Sequence, residues 1–286
     1  MTHQHIAELM ELPVEDLRRG ARIPFRILPT QAALFDDFAR VILDEIRARN
    51  ALGEPTRFIL PVGPIAPYRQ VVEISNRERL SWRNVFTFNM DEFLDWQGRP
   101  VPLSHPLSFE GFMRREVFGR LDPELRIPDS QQHYPHPFRP DEISARIRAV
   151  GGIDCCLGGI GYHGHVAFNE PPLSRWYQIS VEELRRSLTR VVALGGDSIV
   201  VQSIHSSGGN AAAIPPLAVT LGMADILAAR KIRLYCAAGE RHRAIFRIAV
   251  AGEVTVDFPA TLVQGHADAE VVTDEATARP IQVGLR

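Results

Sequence analysis

Cysteine is scarce in this chain. Only Cys155, Cys156 and Cys236 occur, all in apolar stretches, so a disulfide framework is not indicated. Adjacent residues of a strand point to opposite faces, so Cys155 and Cys156 are read as core side chains rather than a redox pair. Long apolar runs are missing too: none approaches the ~18 residues a membrane helix needs. The first 20 residues hold acidic groups and no basic stretch followed by an apolar one. These absences exclude a membrane partner and fit a cytoplasmic enzyme. Charge of one sign is also lacking, with 32 basic against 34 acidic residues and a net charge of −2. No dense basic cluster is interleaved with aromatics, which argues against a nucleic-acid partner. No internal repeat or low-complexity tract occurs.

What is present is an ordinary globular composition, 45% apolar and 23% charged over 286 residues, enough to bury a sizeable core. Leu34, Phe38, Val41, Ile42 and Ile46 follow helical spacing behind Thr30 as N-cap. Strands are expected at 57–60, 84–88, 153–157, 190–194 and 231–237, and helical segments at 68–74, 140–150, 226–229 and 241–251. That alternation predicts an α/β fold: a three-layer sandwich whose mainly parallel, Rossmann-like sheet carries helices on both faces. The segment Ser206-Ser207-Gly208-Gly209-Asn210 reads as a flexible break, and the stretches 100–106 and 133–137 as proline-rich loops.

The most informative stretch is Leu157–Pro171, LGGIGYHGHVAFNEP, with four glycines, two histidines and a glutamate behind an apolar run. Glycines at a strand's carboxyl end let the backbone turn tightly and approach a ligand. Taken alone, His165 is either a packed loop histidine or a catalytic one, and Asp91 in Phe88-Asn89-Met90-Asp91-Glu92-Phe93 is either a helix cap or a base. Together the two segments resemble the signatures of the glucosamine-6-phosphate deaminase (isomerase) family, roughly NMDEY and GGxGxDGHxAFNEP. Weaker similarity runs from about residue 25 to about 276. Residues 1–24 read as an N-terminal extension and 25–286 as one deaminase-like domain, related in fold to ribose-5-phosphate isomerase.

The resemblance implies an enzyme that opens the ring of an amino-sugar phosphate, moves a proton between C2 and C1, and releases ammonia, with no cofactor and no metal. Asp91 matches the family's base, His165 its ring-opening histidine, and Glu170 the carboxylate that orients that histidine. Gly63, Glu92, Gly159, Gly161, Arg241, His242 and Arg243 are expected to contact a small-molecule sugar or sugar phosphate, and a homo-oligomer is compatible with the family.

Departures from the family pattern are equally informative. His163 stands where the family has an aspartate, so an anion beside His165 is replaced by a neutral or cationic ring; a neutral His163 is expected to orient His165 through one ring nitrogen and is counted with the catalytic residues. The phosphate loop, LPTGGTP-like in the family, reads Leu60-Pro61-Val62-Gly63-Pro64-Ile65-Ala66-Pro67 here, shorter and richer in prolines that have no N–H to donate. A family arginine falls at Ile204 and a phosphate lysine at His242, leaving Arg241, Arg243 and His205 as anion ligands. Arg190 matches an allosteric-site residue, but its expected lysine partner is Val192, so Arg190 reads as a strand start. Residues 169–188, with Trp176 and Tyr177, exceed the family length and read as a lid over the pocket. The alternative reading is a metal-dependent sugar isomerase or a lactonase-like hydrolase using His163, His165 and Glu170.

Overall fold

The computed structural model describes residues 3–172 and 177–281. In chain order these form α1 (His3–Glu11), α2 (Val14–Gly20), β1 (Phe25–Leu28), α3 (Gln31–Leu52), β2 (Thr56–Leu60), α4 (Ala66–Arg77), β3 (Val85–Asn89), β4 (Asp91–Leu94) and α5 (Phe109–Phe112). There follow β5 (Gln132–His133), α6 (Asp141–Ala149), β6 (Cys155–Gly159), α7 (Val181–Arg185), β7 (Arg190–Ala193), α8 (Gly196–Ser206) and β8 (Leu217–Thr220). The chain continues through α9 (Met223–Leu227), β9 (Lys231–Cys236), α10 (Arg243–Ala251), β10 (Ala269–Asp274) and α11 (Glu275–Ala278). Among the described residues no helix is long and apolar enough to cross a membrane.

Seven strands pair in the order β1-β10-β9-β6-β2-β3-β5, every pair parallel. The three-layer expectation holds because each inner strand alternates between two cores. Phe58, Leu60, Cys155, Leu157, Tyr235 and Val272 pack with Leu34, Phe38 and Ile42 of α3 and Tyr68 and Val71 of α4. Their neighbours Ile59, Cys156, Leu234, Cys236 and Val271 pack on the other face with Ile143 of α6, Ile226 of α9 and Phe246 of α10. Cys155 and Cys156 therefore face different layers and are buried free thiols. Thr30 caps α3 by accepting from Ala33 N at 3.1 Å, and Gly53, at φ 69°, ends it in the left-handed conformation that glycine adopts without penalty.

Two features depart from the sequence reading. The chain leaves β3 at Met90 and enters a second sheet, antiparallel β4-β8-β7, so Asp91–Leu94 is a strand and neither a turn nor a helix start. The register puts Asp91 opposite Thr220, and Phe93 and Ala218 join Phe168 and Leu194 in a small core of their own. The expected strand at 153–157 begins only at Cys155: the Asp154 carboxylate accepts from Arg57 N at 2.9 Å and from Arg49 Nη2 at 2.8 Å, a buried anion at the sheet's amino end. In the expected break at 206–210 only Ser206 is helical, as the last residue of α8, and 207–209 are bend and turn.

Of the expected lid, residues 173–176, including Trp176, lie outside the described residues. Tyr177 is exposed, but α7 is docked: a Ser180/Glu183 capping box starts it, and Leu184 is buried in the core with Ile226 of α9. The described part of the segment 1–24 is also docked. Leu9, Met10 and Leu17 enter the α10-side core, and the buried Arg247 of α10 donates to Leu9 O at 3.0 Å, Leu12 O at 2.8 Å and Ala278 O at 2.8 Å. Arg247→Met keeps the apolar stem but strands three carbonyls. It is expected to cost about 2–4 kcal/mol, read as a lower urea midpoint, and an unchanged midpoint would show that Arg247 does not hold the amino-terminal helices.

Candidate active site

After β5 the chain returns to place β6 on the side of β2 away from β3, so connections diverge at the carboxyl ends of β2 and β6, the crevice where open α/β sheets bind ligands. Gly63 follows β2 and Gly159 ends β6. A Cβ on Gly159 would lie 3.3 Å from Gly63 O, so the two loops touch backbone to backbone. A Cβ on Gly158 would meet Met90 Cε at 3.1 Å and Val166 Cγ1 at 3.6 Å. Asp91, which follows Met90, and His165, which precedes Val166, are thereby brought to one end of the sheet.

The loop after β6 folds back on itself. Gly161 N donates to His165 O at 2.9 Å, Gly164 N donates to Gly161 O at 2.9 Å, and Ile160 bridges Val166. The imidazole of His165 lies flat over Gly161, whose Cβ, if present, would stand 1.9 Å from Nε2. Beyond it Ala167 takes φ 53°, an uncommon conformation for a residue with a Cβ. That turn is clamped by Asn169 Nδ2, donating to Val166 O at 3.0 Å and Leu221 O at 2.8 Å, and by Phe168 N, donating to Thr220 Oγ1 at 3.0 Å. Arg190, at the start of β7 as expected, donates to Asn169 Oδ1 at 2.8 Å.

Burial sets the charges. Asp91 is 8% exposed, and desolvation, with the neighbouring Glu92 charge, pushes its carboxyl up to about 8. His165 is 9% exposed; desolvation, with repulsion from His163 and His242, pushes it down to about 3, so its imidazole is neutral near pH 7. His242 is likewise lowered to about 4 by burial, with Arg241 and His205 opposing its charge. His242 is thus near enough to feel the charge of His205 on α8, and His165 near enough to feel that of His242.

Several expectations about individual residues change. Glu170 was expected to orient His165, yet its Oε1 stands 3.8 Å from Nδ1, beyond hydrogen-bond range, while Oε2 accepts from Gly195 N at 2.5 Å. His163 does not orient His165 either: its Nε2 pairs with Asp197 Oδ2 at 2.8 Å, and the two rings are 6.2 Å apart. Glu92, expected on the substrate, is consumed by the scaffold. Its carboxylate accepts from Ser108 Oγ and from the backbone N–H groups of Phe93, Phe109 and Glu110, all at 2.9–3.0 Å. Arg243 is similarly withdrawn, donating through Nε to Ala276 O at 3.0 Å and pairing with Glu240. Arg241 stays exposed, at the end of a short 3₁₀ turn that leads into α10.

Comparison with known proteins places this arrangement. No family model matches the sequence. The chain is 34% identical over 263 residues to a glucosamine-6-phosphate deaminase of Porphyromonas gingivalis, covering 87% of this chain and 92% of that one. It is 31% identical over 251 residues to the corresponding protein of Parabacteroides distasonis, covering 86% and 87%. The chain belongs to the glucosamine-6-phosphate deaminase family. A solved structure of a monomeric glucosamine-6-phosphate deaminase superposes with TM-score 0.76 at 25% identity, covering 90% of this chain and 99% of that one. A 6-phosphogluconolactonase from Thermotoga maritima, at TM-score 0.63 and 17% identity, shares the fold.

Within this family of enzymes the replacement of an aspartate by His163 takes on a different meaning. The carboxylate has not vanished from the cluster; Asp197 on α8 supplies one from the far side of His163, which holds the Asp197 carboxyl below its ordinary value. Sequence inspection missed Asp197 because it sits 34 residues from His163 on a helix with no family signature. Among the described residues the Asp91 carboxyl has no hydrogen-bond partner, and the loop that follows β2 leaves the start of α4 without a side-chain cap.

Proposed function

We propose that this protein is an amino-sugar phosphate deaminase and aldose–ketose isomerase in which Asp91 carries the proton between C2 and C1. The observation that bears most weight is a partnerless, buried carboxyl at the same sheet end as a buried neutral imidazole, in a chain whose relatives are named glucosamine-6-phosphate deaminases. A carboxyl poised near 8 both releases and holds a proton close to neutrality, as a carrier between adjacent carbons must. His165, neutral in the empty site, accepts the anomeric hydroxyl proton as the C1–O5 bond opens, and the ring oxygen takes a proton in turn. Transfer from C2 to C1 then yields a ketimine, whose hydrolysis leaves ketose and ammonia.

For the phosphate, the reading uses Arg241 and the uncapped amino end of α4 at the loop carrying Gly63. His242 sits beside Arg241 as a neutral donor. Gly161 leaves the space that the His165 ring occupies, and Gly159 lets the Gly63 backbone approach the end of β6.

The test is incubation with phosphorylated and free amino sugars, reading ammonia and ketose, with lactone hydrolysis assayed beside them. Ammonia and ketose in a one-to-one ratio are expected, with phosphorylated sugars preferred. Lactone turnover without ammonia would replace this reading by a hydrolytic one.

A further inference from the structure

We propose that His163, His165 and Glu170 form a binding site for one divalent transition-metal ion of the zinc class. One potential ligand atom from each residue lies within 4.8 Å of the other two. His163 Nδ1, His165 Nδ1 and Glu170 Oε1 are all buried without a hydrogen-bond partner. Orphaned polar atoms are costly and usually few. Three of them in one cluster point to an occupant that accepts lone pairs.

The scaffold has already engaged the opposite ends of two of these groups. His163 Nε2 pairs with Asp197 Oδ2 at 2.8 Å, which puts the ring proton on Nε2 and leaves the Nδ1 lone pair free, the carboxylate–histidine arrangement that orients metal ligands. Glu170 Oε2 accepts from Gly195 N at 2.5 Å, leaving Oε1 to turn inward. His165 Nδ1 and Glu170 Oε1 stand 3.8 Å apart, close to the ~3.4 Å edge of a tetrahedron with ~2.1 Å metal–ligand bonds. The side chains of Glu170, His165 and His163 are 5%, 11% and 15% exposed, so the three donors are largely withdrawn from solvent.

Two imidazoles and one carboxylate are a borderline donor set that suits zinc over magnesium or calcium. Three protein ligands leave a fourth position open, and an ion there would polarise a water or a sugar hydroxyl. The aspartate that the family pattern carries at position 163 is here a histidine, which supplies a second nitrogen donor. The inference goes beyond the deaminase reading: an ion on His165 Nδ1 would leave the ring proton on Nε2, so the loaded site would not use His165 as the proton acceptor, and ion uptake is measured directly whether or not ammonia is released.

The experiment uses full-length protein purified without an affinity tag, stripped with a chelator and re-exposed to zinc or cobalt. Bound metal is counted by mass spectrometry after gel filtration, and Kd is read by competition with a chromophoric chelator. One ion per chain is expected, with the visible absorption of tetrahedral cobalt. Asp197→Asn should weaken binding about 10–100-fold. His163→Ala and Glu170→Gln should weaken it further. The Asp197 side chain is 66% exposed, so its variant carries the test should the others fail to fold. Less than stoichiometric uptake by the wild-type protein, or equal affinity in Asp197→Asn and wild type, would overturn the assignment.

Discussion

Replacing Asp91 by asparagine is expected to lower ammonia release on the order of 10²–10⁴-fold, the usual worth of a positioned proton carrier, while leaving the fold intact. Asparagine has the same shape and no titratable proton, so substrate binding should persist and appear as a retained ligand-induced rise in Tm. The pH behaviour separates this from a structural effect. In the wild type kcat/KM should climb as pH passes through about 8, where Asp91 ionises, and the residual activity of the variant should lack that limb. Stability carries an independent signature. The folded state keeps the Asp91 proton up to about 8, whereas the unfolded chain loses it near 3.8, so the folded state binds more protons across that window. This group therefore makes the wild type less stable as pH rises from 4 to 8. Asp91→Asn removes the slope, and its Tm should exceed that of the wild type at pH 8, the difference shrinking toward pH 4. Undiminished turnover in the variant would remove Asp91 from the mechanism.

Gly161→Ala should be nearly as damaging, although it adds one methyl group. The new Cβ would stand 1.9 Å from His165 Nε2 and 2.4 Å from both Cδ2 and Cε1, so the ring must leave its place. A displacement of about 1 Å costs on the order of 10² in rate, and overpacking costs about 1–3 kcal/mol in stability. Gly161 does not have a positive φ, so the backbone itself accepts alanine and the clash is with the imidazole. A double-mutant cycle isolates that clash: in a His165→Ala background Gly161→Ala should cost little. Equal destabilisation in both backgrounds would place the strain elsewhere and undo the claim that this glycine seats the histidine.

His165 adds an acid-side signature to the wild type. Its folded value near 3 lies below the 6.5 of a free histidine, so the unfolded chain binds more protons between those values and stability falls as pH drops through them. Stability is thus reduced by Asp91 on the alkaline side and by His165 on the acid side. Both effects arise from desolvation, which leaves these two groups uncharged at neutral pH and ready to exchange protons with a bound sugar.

Much of this architecture was legible in the residues. The strands around 57–60, 84–88 and 231–237 emerged because buried parallel strands are short apolar runs between helical patterns, and helix α3 because its apolar stripe and Thr30 cap are local signals. The antiparallel sheet was not legible, since β4 and β7 are four-residue segments whose pairing with β8 depends on residues 24 to 129 positions away. Glu92 looked like a ligand-binding residue because it adjoins Asp91; only the approach of 108–110 fills its oxygens.

By itself, then, the sequence determined the layered α/β fold, the family, and the loop in which Gly161 leaves room for His165, because each rests on apolar periodicity or on residues only a few positions apart. Tertiary structure alone decided which polar groups meet. The docking of α8 gives His163 the Asp197 carboxylate, the entry of β4 into a second sheet leaves Asp91 partnerless and protonated, and closure of the α5 segment removes Glu92 from the cleft. Hydrogen bonds and desolvation act between neighbours in space, and sequence distance carries no record of them.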